Sequence, residues 1–366
     1  MAWKKPSEMA EQERRDGRGK TGDLTPREAA EFLRSRDNFL IVTHVRPDGD
    51  TLGCGAALCR VLRGLGKTAA VLPNDRTSAR YTPYMTGLWA DEACAPDTVV
   101  TADLASESMF TDNAERYRGY VDLAIDHHIG GGQFAPRRCV CPERAACGEI
   151  IYEIAAALSQ LTPEVALALY VALSTDTGCF ALANTTGETH RIASELIAAG
   201  IDYRAANKRH FRTKSRRRIA MEGELFRGLD FFDGGRGVFL TITRSMIERL
   251  RLDEDDLDNV AALGSQIEGV DCTITLREQE SGGWKASVRT TERINAAALC
   301  AMFGGGGGLH PSREGAARGE KSAERCRSWR CRQISISGKQ EKTKCVLLLF
   351  CIPAAGGVLA FWPGLW

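Results

Sequence analysis

Four short, mainly apolar runs occupy residues 39–42, 69–72, 98–102 and 121–125, interrupted by Thr98, Thr101 and Asp122. Between and after them, apolar positions recur at helical spacing over 55–65, 149–158 and 163–173. Continuous apolar strands alternating with helices predict an α/β domain whose parallel sheet is covered on both faces. Its first helix is announced by Thr25-Pro26-Arg27-Glu28, in which Thr caps, Pro suits the first helical position and Glu completes a capping box. Past residue 218 the texture changes. There 237–243, 271–276 and 284–290 read as strands, with helices over 255–267 and 294–302, a second and smaller α/β domain. The predicted organisation is a lead-in over 1–23, a first domain over 24–200, a basic connection over 201–218, a second domain over 219–310 and an atypical tail over 311–366.

Composition narrows the function only modestly. At 366 residues, 43% hydrophobic and 26% charged, the chain has the make-up of a soluble globular protein long enough for two domains. A net charge of +1 gives no global attraction to nucleic acid, so an anionic substrate must be gripped locally. The basic stretch Lys208, Arg209, His210, Arg212, Lys214, Arg216, Arg217 and Arg218 reads either as a solvated linker helix or as a contact for a phosphate backbone. Thirteen cysteines without CxxC pairs, several in apolar surroundings, predict reduced thiols and a cytoplasmic protein rather than a disulfide framework. Cys139, Cys141 and Cys147 lack a fourth ligand and the spacing of a zinc site. The first 22 residues contain no apolar core of a secretory signal.

Chemistry concentrates at the ends of the apolar runs. Directly after the first comes Thr43-His44-Val45-Arg46-Pro47-Asp48-Gly49-Asp50-Thr51-Leu52-Gly53, read as a loop in which an extended backbone would aim both carboxylates the same way. Asp103 follows the third run, Asp126-His127-His128 the fourth, and Asp176 the helical pattern over 163–173. In open α/β sheets, ligands gather beyond the carboxyl ends of the strands, so these groups should converge. Each alone is more often a cap or turn residue. Together, so many carboxylates in one crevice would repel strongly unless divalent cations were present. Five are too many for one ion, which points to a two-metal site.

The motifs His44-x-x-Pro47-Asp48-Gly49-Asp50, Asp103, Asp126-His127-His128 and Asp176 resemble the four motifs of the DHH phosphoesterase superfamily. The glycine run Phe303-Gly304-Gly305-Gly306-Gly307 is similar to the signature of its DHHA1 partner domain. The resemblance spans roughly residues 24–308 and is nearest to the compact branch that degrades very short RNA and dephosphorylates 3′-phosphoadenosine 5′-phosphate (pAp). It implies one metal held by His44, Asp48 and Asp103 and a second held by Asp50, Asp103, His127 and Asp176, with manganese the usual family metal. It further implies that His128 faces the scissile phosphate, that Asp126 orients the histidines, and that no protein nucleophile is needed. Arg289, Gly305, Gly306, Gly307 and His310 would contact substrate. Cys54 stands where the family often has Ser. The implied partners are short single-stranded RNA, pAp or dinucleotides, without stable binding of duplex DNA; a homodimer is compatible with the resemblance.

After Gly308 the family pattern breaks. Residues 312–344 are basic and lack periodicity, and 345–366 are free of charge. A membrane anchor, an unusual closing strand pair and a reading-frame change within the glycine-coding repeat compete, and the sequence favours the last; sequencing that repeat in the source DNA decides it. The leading function is a metal-dependent exoribonuclease of short RNA with pAp phosphatase activity. The rivals are a phosphodiesterase of linear dinucleotides and a non-catalytic nucleotide- or RNA-binding protein. The complete ligand set weighs against the last.

Overall fold

The computed structural model describes residues 22–91, 94–280, 283–291, 293–296, 300, 306–307 and 315–318. The chain divides into two compact units, Met1–Thr213 and Lys214–Trp366.

The first unit is built on a six-stranded, wholly parallel sheet. Its strands are β1 (Gly22–Asp23), β2 (Phe39–Val42), β3 (Ala69–Val71), β4 (Thr98–Ala102), β5 (Leu123–Asp126) and β6 (Arg137–Val140), ordered β1-β6-β5-β4-β2-β3. Successive side chains of β2 enter opposite cores: Phe39 and Ile41 join Leu58, Ile150 and Leu169, while Leu40 and Val42 join Phe110 and Tyr117. A strand buried on both faces needs apolar residues at every position, which is why the run is unbroken. The helices of this unit among the described residues are α1 (Pro26–Ser35), α2 (Gly49–Gly64), α3 (Thr82–Met85), α4 (Cys147–Ala157), α5 (Pro163–Asp176), α6 (Gly187–Ala198) and a one-turn α7 (Tyr203–Asn207) that runs into a π-helical turn, Lys208–Arg212. The capping box of α1 is present in both directions, Thr25 with Glu28.

Several expectations need correction. Helix α2 begins at Gly49, six residues before the apolar periodicity does, because Asp48 caps it and accepts from the amides of Asp50 and Thr51. The loop with two parallel carboxylates is therefore a cap and a first turn. Strand β6 went unforeseen because a charged Arg137-Arg138 pair opens it; the Arg137 guanidinium lies 4.9 Å from the centroid of the Phe32 ring and is buried there. Gly22–Asp23, assigned to the lead-in, pairs with it as an edge strand. Residues 1–21 lie outside the described residues.

The second unit holds a mixed sheet, ordered β11-β12-β10-β9-β8-β7, of β7 (Asp230–Phe232), β8 (Gly237–Ile242), β9 (Cys272–Glu278), β10 (Trp284–Thr290), β11 (Gly306–Gly307) and β12 (Gly315–Arg318). Among the described residues only β8 and β9 of this sheet pair in parallel. Its helices are α8 (Arg216–Arg227), α9 (Arg244–Leu250) and α10 (Glu254–Leu257). The helix expected over 255–267 is broken into α10 and two 3-10 turns, since Asn259 sits in the left-handed region at φ 52°. The helix expected over 294–302 lies largely outside the described residues. In the tail, Gly315–Arg318 pairs antiparallel with β10, as a closing strand would; residues 319–366 are outside the described residues. Among the described residues no helix is long and apolar enough to cross a membrane.

His210, on the π-helical turn, stacks on Tyr81 and Tyr84 at centroid distances of 5.1 and 5.6 Å and bonds the Tyr84 hydroxyl at 3.0 Å. Burial, then the cations Arg80 and Arg209, hold its imidazole down at about 4 against an ordinary 6.5. As pH falls through that window the unfolded chain binds a proton that the folded one refuses, so stability present at neutral pH is lost. Wild type should lose roughly 2 kcal/mol more than His210→Phe between pH 7 and pH 5 in urea unfolding. Equal losses would show that this imidazole does not set the acid limit.

Candidate metal centre

The site forms where β2, β4 and β5 end and where α2, α4 and α5 meet them. His44 follows β2; its amide faces the Thr51 hydroxyl at 3.4 Å, and its carbonyl accepts from Asn74 Nδ2 at 2.9 Å. Thr51 in turn donates to the carbonyl of Ala102 at 2.8 Å, stitching the start of α2 to the end of β4. Asp103 follows with φ 55°, a backbone that non-glycine residues adopt at a cost, and its amide bonds Ile125 O at 2.9 Å.

Asp48 and Asp50 diverge. Asp48 Oδ1 lies 3.6 Å from His44 Nε2, whereas Asp50 turns inward and accepts from the amides of Cys147 (2.8 Å) and Gly148 (3.0 Å) and from the Cys54 thiol (3.2 Å). Those two amides open α4, so a helix N-terminus steadies the buried carboxylate. Asp103 bridges the halves: Oδ2 is 3.7 Å from His44 Nε2, and Oδ1 is 3.5 Å from both His127 Nε2 and His128 Nδ1. His127 Nε2 also approaches Asp50 and Asp176, each at 3.7 Å. Three overlapping sets of donor atoms result: His44, Asp48 and Asp103; Asp50, His127 and Asp176; Asp103, His127 and His128.

Electrostatically, these groups are arranged for an absent positive charge. Burial, then the charges of Asp176 and Asp48, push Asp50 well above the ordinary carboxylate range. Burial with Asp50 and Asp48 does the same to Asp103. Burial also lowers His127, favouring the neutral imidazole that can ligate. The buried Asp103 Oδ1 has no hydrogen-bond donor. Carboxylate and imidazole donors with unmet negative charge suit hard to borderline divalent ions, and the cluster can bind metal.

The histidines have different supports. His128 donates from Nδ1 to Asp126 Oδ1 at 2.8 Å. The ring of His127 is instead fixed by the backbone carbonyl of Arg144, 3.2 Å from Nδ1, while Asp126 takes only its amide, at 2.8 Å. Asp126 thus contacts the ring of His128 and the backbone of His127, and Arg144, Asn74 and the α4 amides are parts that no side-chain pattern announced. Asp126→Asn keeps an acceptor but loses the charge. Its kcat should fall about tenfold with metal content unchanged in elemental analysis; loss of bound metal would make Asp126 part of the cage instead. Cys139, Cys141 and Cys147 belong to no metal-competent group among the described residues.

Residues 38–173 match the N-terminal domain of the DHH family. Over 288 residues the chain is 31% identical to the bifunctional oligoribonuclease and PAP phosphatase of Thermus thermophilus, covering 76% of this chain and 84% of that protein. The chain belongs to the DHH family. It is a hydrolase of that phosphoesterase family. A DHH relative from Streptococcus mutans, named a probable bifunctional oligoribonuclease and PAP phosphatase, is 24% identical over 288 residues, with 78% and 90% covered. An exopolyphosphatase-related protein of Bacteroides fragilis shares the DHH fold at a TM-score of 0.71 and 21% identity, over 81% of this chain and 91% of that one.

In the second unit, Arg289 lies on β10 and bonds Asn259 Oδ1 at 2.8 Å. Gly306 and Gly307 form β11. Gly305 and His310 fall outside the described residues.

Proposed function

We propose that this DHH-family chain is a two-metal phosphoesterase that shortens RNA oligonucleotides from the 3′ end and removes the 3′ phosphate of pAp. The observation that carries the reading is the sharing of donors: Asp103 and His127 each belong to two of the three donor sets. A single ion in any one set would leave at least two of the four acids, one of them buried, without a counter-charge. His44, Asp48 and Asp103 would hold one ion, and Asp50, Asp103, His127 and Asp176 the other, manganese suiting this mixture. Such ions, when bound, would polarise a phosphoryl oxygen and activate water. Asp126 holds the half-exposed His128 by Nδ1, so that Nε2 is the ring atom left to share a proton with a substrate oxygen. Arg289 and the Gly306-Gly307 backbone would grip substrate phosphate, by a planar guanidinium and by unhindered amides. The names of the relatives from Thermus thermophilus and Streptococcus mutans favour short RNA and pAp over other phosphoesters.

Purified protein with manganese should release mononucleotides from a five-nucleotide RNA and phosphate from pAp. A panel with linear dinucleotide and pyrophosphate ranks the rivals. Inactivity on both RNA and pAp, with metal bound, would reject the reading.

A further inference from the structure

The donor set of Asp50, His127 and Asp176 draws its members from three places in the fold, and one short segment braces two of them. Residues 144–148 supply the Arg144 carbonyl that meets His127 Nδ1 at 3.2 Å, and the Cys147 and Gly148 amides that hold Asp50 at 2.8 and 3.0 Å. A carbonyl can only accept, so the neutral His127 ring carries its proton on Nδ1. That leaves the Nε2 lone pair among Asp50, Asp103 and Asp176, 3.5 to 3.7 Å away. Asp176 stands apart from the bracing segment, as the last residue of α5.

One side chain joins the segment to Asp176. The half-buried Asn184, between α5 and α6, donates from Nδ2 to the carbonyl of Ala145 at 2.9 Å and to the carbonyl of Asp176 at 3.2 Å. Two carbonyl oxygens call for the amide nitrogen, so these partners fix the orientation of the side chain and take both of its hydrogens. Its Oδ1 is buried without a hydrogen-bond donor, so the residue contributes through its nitrogen. Nearby, the Thr189 hydroxyl donates to the buried Glu149 at 2.5 Å, tying the first turn of α6 to the first turn of α4. The set of His44, Asp48 and Asp103 relies on other groups, with Thr51 and Asn74 at the backbone of His44. Among the described residues Asn184 bonds none of those three.

We infer that Asn184 is a positioning residue for Asp50, His127 and Asp176, locking the segment that aims two of these donors against the helix end that carries the third. The inference rests on the reading of this set as a metal site and deepens it. Without the lock, residues 144–148 and the end of α5 lose their direct tie, and the three donors no longer meet one ion together. The Asp48 side of the cluster keeps its own supports.

Asn184→Leu keeps the volume and removes both donors; Asn184→Ala is the companion in case the isostere strains the turn. In chelator-treated protein labelled with nitrogen-15 on its histidines, at about pH 8 where an ordinary imidazole is neutral, wild-type His127 should show one tautomer, protonated at Nδ1. The chain has six histidines, and His127→Gln assigns the signal by its loss. Both Asn184 variants should show mixed tautomers at His127, with the His44 signals unmoved. In calorimetric titration with manganese, one of two ions should bind about tenfold or more weakly and the other within twofold of wild type. Should wild type take up fewer than two ions, the two-metal reading fails, and the metal-free histidine spectra decide the lock by themselves. His127 signals unchanged in both variants would overturn the inference. So would His44 signals that move as far as those of His127, or manganese affinities that are unaltered or fall equally for both ions, since each describes a merely structural residue.

Discussion

Asp103→Asn should abolish turnover and, in chelator-treated protein, raise the melting temperature. Asp103 is buried, sits within 3.7 Å of three imidazoles and belongs to two of the three donor sets. Replacing one oxygen by an amide removes the anion on which both proposed ions depend, so kcat with manganese should fall by about a thousandfold or more, on the order of 4 kcal/mol of transition-state stabilisation. Stability moves the other way. Burial, then Asp50 and Asp48, disfavour the charged form of Asp103, which means the metal-free fold carries an anion it would rather lose. A neutral isostere removes that repulsion, trading function for stability. Differential scanning fluorimetry in chelator should show the variant melting a few degrees higher, and added manganese should lift wild type but not the variant. Activity near wild type would refute the bridging role; a lower melting point without metal would refute the electrostatic account.

How much of this was legible in the sequence depends on whether a residue's reason is local. β2 declares itself because a strand covered on both faces favours apolar residues throughout, and β4 does so through Val99, Val100 and the β-branched Thr98 and Thr101. The seven site residues from His44 to Asp176 declare themselves because each lies at or next to the end of a strand or helix, and the structure brings them together. β6 does not, because the Arg137 guanidinium is buried against Phe32, an aromatic partner more than a hundred residues earlier. Nor does the start of α2: Asp48-Gly49-Asp50 has the composition of a turn, and only the amides that Asp48 caps make it a helix. The support of Asp50 by Cys147 and Gly148 spans 97 and 98 residues and is made by backbone, which carries no residue signature. The same holds for the Arg144 carbonyl that aims His127.

Gly53→Ala should cost roughly 3 kcal/mol of stability and loosen metal binding, although the residue bears no functional group. A Cβ there would lie 2.5 Å from the Ala168 carbonyl oxygen, 2.9 Å from Ala172 Cβ and 3.0 Å from the Ala172 amide nitrogen. Two of those three atoms are backbone of α5, so no rotamer change relieves the contact and the helices must separate. Gly49, one turn earlier, meets Thr175 on the same helix, and Gly148 of α4 meets Ala172 and Leu173. Gly53 and Gly148 therefore bring α2 and α4 onto α5 at Ala172, and Gly49 brings α2 onto α5 at Thr175. The spacing matters chemically because α2 carries Asp50 and α5 ends on Asp176, both 3.7 Å from His127 Nε2. Spreading α2 from α5 parts those carboxylates, and manganese affinity by calorimetry should drop about tenfold while the Asp48 side of the cluster is less affected. Cys54→Ser is the control: the neighbouring residue keeps a donor to Asp50 Oδ1 and nearly the same volume, so urea unfolding and metal titration should stay close to wild type. Wild-type stability in Gly53→Ala would mean that helix separation is set elsewhere. A stability loss with unchanged manganese affinity would uncouple the packing of α2 on α5 from the centre it holds.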